Sequence, residues 1–132
     1  MRQNRLMKFT YPKSEKLKSR NTIGLLFAEG SSVTQYPLRL VYVGLDSDVE
    51  KIKVGVSVSK KYFKKAVDRN YLKRVLRETY RLNKHLLVDS LQAPHAFMLL
   101  YQSKEILPYE EINARTIQLF EKFVAKNIYK HT

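Results

Sequence analysis

The residues best suited to chemistry lie in one stretch, KKYFKKAVDRNYLKRVLRETYRLNK, at positions 60–84. On a helix over 65–84, at about 100° per residue, Arg69, Lys73, Arg74, Arg77, Arg81 and Lys84 fall in one half of the circumference, with Asn70 among them. Leu72, Val75, Leu76, Thr79 and Leu82 fall in the other half. Arg69, Lys73 and Arg77 are successive i+4 neighbours of like charge, which weakens a helix. A solvated face usually mixes signs, yet after Asp68 in the first turn the only acid is Glu78. Phosphates would offset this repulsion, since guanidinium groups offer them planar, paired donors. An ordinary amphipathic helix with a solvated basic face is the plain alternative. A membrane-surface helix fits less well, because the apolar half is needed to cover a sheet. Readout in a DNA groove lacks a paired helix or a dimerisation element.

Nothing else in the chain is arranged for catalysis. His85, His95 and His131 have no metal-ligand spacing, and there is no glycine-rich phosphate loop. The acids of DSDVE and of the Glu110–Glu111 pair have local reasons, one in a turn and the other at a helix start. The absence of cysteine excludes disulfides and thiolate zinc sites.

The surrounding elements must hold the basic helix in place. The 132 residues suit one domain, and 44% hydrophobic content is enough for a modest core. Twenty-five Lys and Arg against twelve Asp and Glu leave a net charge of +13, which opposes compaction and favours a polyanionic partner. Residues 1–18 read as a basic, partly disordered arm with Glu15 as its only acid, and 19–132 as a single domain. Ser19 or Asn21 is placed to cap a short helix ending at Gly30, with Ile23, Leu26 and Phe27 on one face. SSVTQ and QYPLRLVYVGL read as strands. DSDVE follows as a polar turn. KIKVGVSVSK alternates Ile52, Val54, Val56 and Val58 against Lys51, Lys53, Gly55 and Ser57, so one face is buried and the other is small and polar. The last two strands are expected to form an antiparallel pair. LLVDSLQAP reads as a connection, HAFMLLYQ as a strand apolar on both faces, and LPYEEINARTIQLFEKFVAKNIYK as a final helix. That helix is expected to start at Pro108 and to bury Ile112, Thr116, Leu119, Phe120, Phe123 and Val124.

VGVSVSKK followed by AVDRNYLKRVLRE resembles the signature of the protein subunit of bacterial ribonuclease P. The matching residues are Lys60, Lys61, Ala66, Val67, Arg69, Asn70, Lys73, Arg74, Arg77 and Glu78. The resemblance implies an α+β fold, an α-β-β-β-α-β-α sandwich whose small mixed sheet has a left-handed β-α-β crossover, although general strand–helix–strand geometry favours the right-handed form. It implies a subunit of an endoribonuclease whose RNA, not its protein, carries out Mg²⁺-dependent removal of the 5′ leader from precursor tRNA. No catalytic residue or metal of the protein's own is implied, and the Mg²⁺ is held by the RNA. The implied partners are ribonuclease P RNA and precursor tRNA in the bacterial cytoplasm, with no membrane and no required protein partner.

Carried over by position, Arg69, Asn70, Lys73, Arg74 and Arg77 would contact the ribozyme RNA, with Lys60 and Lys61 at the edge. Lys64, Lys65 and Arg81 extend the same RNA-binding surface. The leader cleft would take Ile23 and Phe27 from the first helix, and Arg39, Val41, Tyr42 and Lys53 from the strands. For the family's strand tyrosine, chemistry favours Tyr42 and spacing favours Val41. Two departures stand out. YFKK makes the strand-to-helix loop longer and more basic, and Ile23 occupies the position of the first cleft aromatic. A generic ribosome- or RNA-binding module of the same fold is the alternative reading.

Overall fold

The computed structural model describes residues 10–46 and 52–130, with side chains placed as far as 127. A 3₁₀ turn (Lys13–Glu15) precedes α1 (Arg20–Glu29), β1 (Ser31–Gln35), β2 (Leu38–Gly44), β3 (Ile52–Val58), α2 (Ala66–Val88), β4 (His95–Tyr101) and α3 (Tyr109–Lys130). This is the expected α-β-β-β-α-β-α order. The turn expected at 46–50 falls outside the described residues except for Asp46, as do Lys51, His131 and residues 1–9 of the arm.

The sheet order is β1-β2-β4-β3. The expected antiparallel pairing of β2 with β3 is therefore wrong. β4 lies between them, antiparallel to β2 and parallel to β3. The cause is the distribution of apolar residues. Ala96, Phe97, Met98 and Leu99 are all buried, so β4 needs cover on both faces and takes the centre. β3, with one polar face, takes an edge.

Two cores follow from the strand alternation. Leu40, Val54, Phe97 and Leu99 face α2 and α3, joined there by Leu72, Leu76, Tyr80, Phe120 and Phe123. Val41, Ala96 and Met98 face the other way, onto Leu26 of α1. The Ser19 hydroxyl caps α1 by accepting the Thr22 N–H at 3.3 Å. At the other end Gly30 has an ordinary φ of −69°. It is needed for close approach, because a Cβ there would sit 2.2 Å from the Leu26 carbonyl oxygen.

The basic helix continues through Val88, so Leu86, Leu87 and Val88 are helical and do not belong to a connection. Leu87 is fully buried, which extends the apolar face by another turn. Asp68 sits in the first turn but does not cap the helix. Lys65 holds that position without a side-chain hydrogen bond. In α3 the expected buried stripe is present from Ile112 to Phe123, with Val124 packed at its margin. Asn83 ties the two long helices together by donating to Asn113 Oδ1 at 2.8 Å.

Candidate nucleic-acid interface

The outer face of α2 is a consequence of its inner one. Leu72, Val75, Leu76, Thr79 and Tyr80 pack against the sheet and α3, so the residues between them must face solvent. Asn70, Arg74 and Arg77 are exposed and Lys73 is partly exposed. Among the described residues, none of these four makes a hydrogen bond or ion pair within the protein. The neighbouring basic groups are less uniform. Arg81 pairs with Glu78, and that hydrogen bond holds the Glu78 carboxyl below its usual range. Lys60, Lys61, Lys64 and Lys65 are exposed around the turn that leads into the helix.

Two residues depart from the expected outward-facing set. Arg69 turns back, and its Nη1 donates to the carbonyls of Phe63 and Lys64, each at 2.8 Å. Lys84 does not belong to the exposed basic half. It is only 5% exposed, and its Nζ donates to both carboxylate oxygens of Glu15 at 2.9 and 3.0 Å. The 3₁₀ turn of the N-terminal segment lies over this end of the helix, so its last basic residue meets Glu15 and not solvent.

The YFKK loop is a built turn. The N–H groups of Tyr62 and Phe63 donate to the Ser59 carbonyl at 3.2 and 3.1 Å, and the Lys61 N–H donates to the Ser59 hydroxyl at 3.0 Å. Phe63 enters the core, its ring 6.0 Å from that of Tyr101. One aromatic of the loop thus anchors it and leaves the lysines outside.

Along the outer edge of the sheet, residues 11–18 run beside β3. The Leu17 N–H donates to the Val54 carbonyl at 2.9 Å, and Lys16 forms a parallel bridge with Val54. The Tyr11 hydroxyl donates to the same carbonyl, and Lys53 Nζ donates to the Ser14 carbonyl. This strap covers part of an edge strand that would otherwise present unpaired backbone. It also forms one wall of a trough with two adjoining hollows of about 380 and 320 Å³. Lys13, Lys16, Lys18 and Lys53 line it, with Asp46 the one carboxylate among the described lining residues. Ile23, Gly55, Met98, Tyr11 and Arg77 complete the second hollow.

The trough brings together only part of the expected leader-cleft set. Ile23 and Lys53 line it. Phe27 is 58% exposed on α1. Arg39 and Val41 share the α1 side of β2, with Val41 buried beneath α1. Tyr42 is not on that side. Its ring packs edge-on to Phe123 at 4.7 Å in the other core. Strand parity therefore favours Val41 over Tyr42 for the cleft side.

The sequence reading missed Tyr11, Glu15, Lys16 and Lys18 as site residues. The signal available was Glu15, a single acid in a basic segment. Burial pushes the Tyr11 hydroxyl up to about 12, with the Arg77 charge opposing the rise and Glu15 reinforcing it. Burial likewise raises Tyr80, whose hydroxyl donates to Glu15 at 3.0 Å.

Residues 11–124 match the protein-family model described as Ribonuclease P. The ribonuclease P protein component of Porphyromonas gingivalis strain W83 is 48% identical over 98 residues, spanning 70% of this chain and 72% of that protein. Its counterpart in Dictyoglomus thermophilum is 29% identical over 116 residues, spanning 86% and 92%. Among solved structures, the Staphylococcus aureus RNase P protein superposes with a TM-score of 0.68 at 19% identity, over 83% of this chain and 94% of that one. The Thermotoga maritima protein gives 0.65 at 24%, over 82% and 96%. The structures show a shared fold, and the family match and sequence relatives show shared descent. The chain belongs to the ribonuclease P protein component family, the protein subunit of an endoribonuclease holoenzyme.

Proposed function

We propose that the exposed face of α2 docks on ribonuclease P RNA, and that the trough between the strap, α1 and β3 holds the 5′ leader of precursor tRNA. The observation that carries this reading is the set Asn70, Lys73, Arg74 and Arg77, solvent-facing and without a side-chain partner among the described residues, on a helix whose other side packs into the core. Four neighbouring polar groups with no partner among the described residues suit an external polyanion. Arginine supplies paired donors to phosphate, and asparagine reads a base edge or a 2′-hydroxyl. Lys60, Lys61, Lys64, Lys65 and Arg81 flank that contact. Arg69 contributes by shaping the loop beneath them.

In this reading residues 1–18 are a basic arm preceding a single RNA-binding domain at 19–132. The RNA carries the hydrolysis and its Mg²⁺. The protein's trough does not fit that ion, because a hard divalent cation takes oxygen ligands and the walls are lined with lysines. No helix among the described residues is long and apolar enough to cross a membrane. The holoenzyme is placed in the bacterial cytoplasm and needs no further protein.

The test is cleavage of a precursor tRNA at low Mg²⁺ by ribonuclease P RNA from the same source, with and without this protein. Restored cleavage at the mature 5′ end is expected. An RNA that is active at high Mg²⁺ but gains nothing from the protein at low Mg²⁺ would overturn the reading.

A further inference from the structure

The α1 wall of the trough is poor in aromatic surface. Phe27 is exposed, while Ile23 can pack against a nucleobase but offers it no π-face. The strap wall carries a ring in the same hollow as Ile23, that of Tyr11. Its placement is determined from several directions. The ring meets Tyr80 edge-on at 5.1 Å, and its hydroxyl donates to the Val54 carbonyl. The Lys16 ammonium lies over the ring, 5.4 Å from its centroid, so a base stacks on that face when the flexible lysine swings aside to a phosphate. Arg77 reaches the hollow from α2, so the helix face and the trough meet there.

Beneath this ring lies an ion pair that stability alone does not require. Lys84 is almost wholly buried and Glu15 is partly buried, and the Tyr80 hydroxyl satisfies the same carboxylate. A well-packed apolar pair would often hold two elements as firmly, whereas a directional charged pair specifies register. One slip of the strap along β3 would turn Tyr11 out of the hollow and leave Lys84 buried without a partner.

We propose that Tyr11 is the aromatic wall of the trough, stacking against an unpaired nucleobase of the leader, and that the Glu15–Lys84 ion pair is the positioning contact that holds it there. This rests on the leader occupying the trough, as proposed above. Base–aromatic stacking is tolerant of sequence, which suits a leader that varies between substrates.

The experiment measures binding of mature tRNA, and of precursors with leaders of increasing length, to the holoenzyme reconstituted with its RNA. Tyr11→Phe keeps the affinity gained from a longer leader. Tyr11→Leu loses roughly tenfold of that gain, with affinity for mature tRNA and for the ribozyme RNA unchanged. Glu15→Gln lowers the same gain and speeds amide exchange at Leu17, which reports release of the strap. Pairing Glu15→Lys with Lys84→Glu restores both. A full leader gain in Tyr11→Leu overturns the proposal while leaving the trough reading intact. So does a Glu15→Gln protein that loses only thermal stability. If the unaltered holoenzyme binds precursor and mature tRNA alike, the trough reading fails and this proposal fails with it.

Discussion

Arg69 binds the carbonyl oxygen of Phe63, at 2.8 Å, from the first turn and a half of α2. That contact joins the basic helix to a loop whose aromatic residue is in the core, and it changes what an alanine at 69 should do. Arg69→Ala leaves two loop carbonyls without their charged donor. A hydrogen bond to a charged group contributes on the order of 1.5–3 kcal/mol, and partial exposure puts this one at the lower end. We expect a fall of several degrees in Tm, read by circular dichroism, together with weaker RNA binding. An unchanged Tm would show that Phe63 holds the loop by itself.

Arg74 and Arg77 should behave differently, because among the described residues neither side chain has a hydrogen-bond or ion-pair partner. The Arg74→Ala/Arg77→Ala double variant should retain its Tm and lose ribozyme affinity. If each arginine neutralises one phosphate, the slope of log affinity against log salt becomes shallower by about two. Filter binding across a salt series measures this. A parallel salt line with lower affinity would mean that these arginines do not act through phosphate.

The contrast between Arg69 and its neighbours marks what the sequence could show. Helical periodicity, a cap at Ser19 or Asn21, Pro108 before α3 and the alternation in β3 are local signals, and they located the three α-helices and four strands described, though not the 3₁₀ turn or the last turn of α2. The motif at 58–78 carried the family resemblance, which the match over residues 11–124 bears out. Lys84 was invisible because its partner, Glu15, lies 69 positions away. The same holds for β4, whose place between β2 and β3 is a pairing choice made across the whole chain. Phe63 was read with the lysines around it, although an aromatic between a strand and a helix has an apolar use. Strand parity was enough to separate Val41 from Tyr42 once α1 was known to cover one face only.

The paired tyrosines predict an alkaline limit on stability. Burial raises Tyr11 from 10.0 to about 12, and Tyr80 is raised further, first by burial and then by the Glu15 charge. Both therefore stay protonated in the folded protein at a pH where they ionise in the unfolded chain. Their contribution is intact below a pH of about 10 and is lost as pH climbs through the folded values. Urea midpoints should hold steady up to about pH 9 and then decline, with tyrosinate absorbance rising alongside unfolding. Tyr11→Phe should soften the decline. A stability curve that is flat to pH 12 would mean that these hydroxyls are not desolvated.

Two glycines, one inside α1 and one just past its end, make opposite predictions for the same substitution. Neither has a positive φ, so backbone freedom is not what distinguishes them. Gly24 is exposed in mid-helix, and a Cβ there meets nothing within 4 Å. Gly24→Ala should raise stability by about 0.5–1 kcal/mol, because alanine loses less conformational entropy in a helix. Gly30 sits where the end of α1 meets β2. A Cβ there would stand 2.2 Å from the Leu26 carbonyl oxygen and 3.0 Å from that of Tyr42. Backbone atoms cannot yield as a flexible side chain does, so α1 must shift away from the sheet. Gly30→Ala should cost roughly 1–3 kcal/mol and displace Ile23 and Phe27 along with the helix. Denaturant titration of the two variants reads the stability difference, and leader-length dependence reads the displacement. Equal stability of the two would show that the junction between α1 and β2 is looser than its contacts indicate.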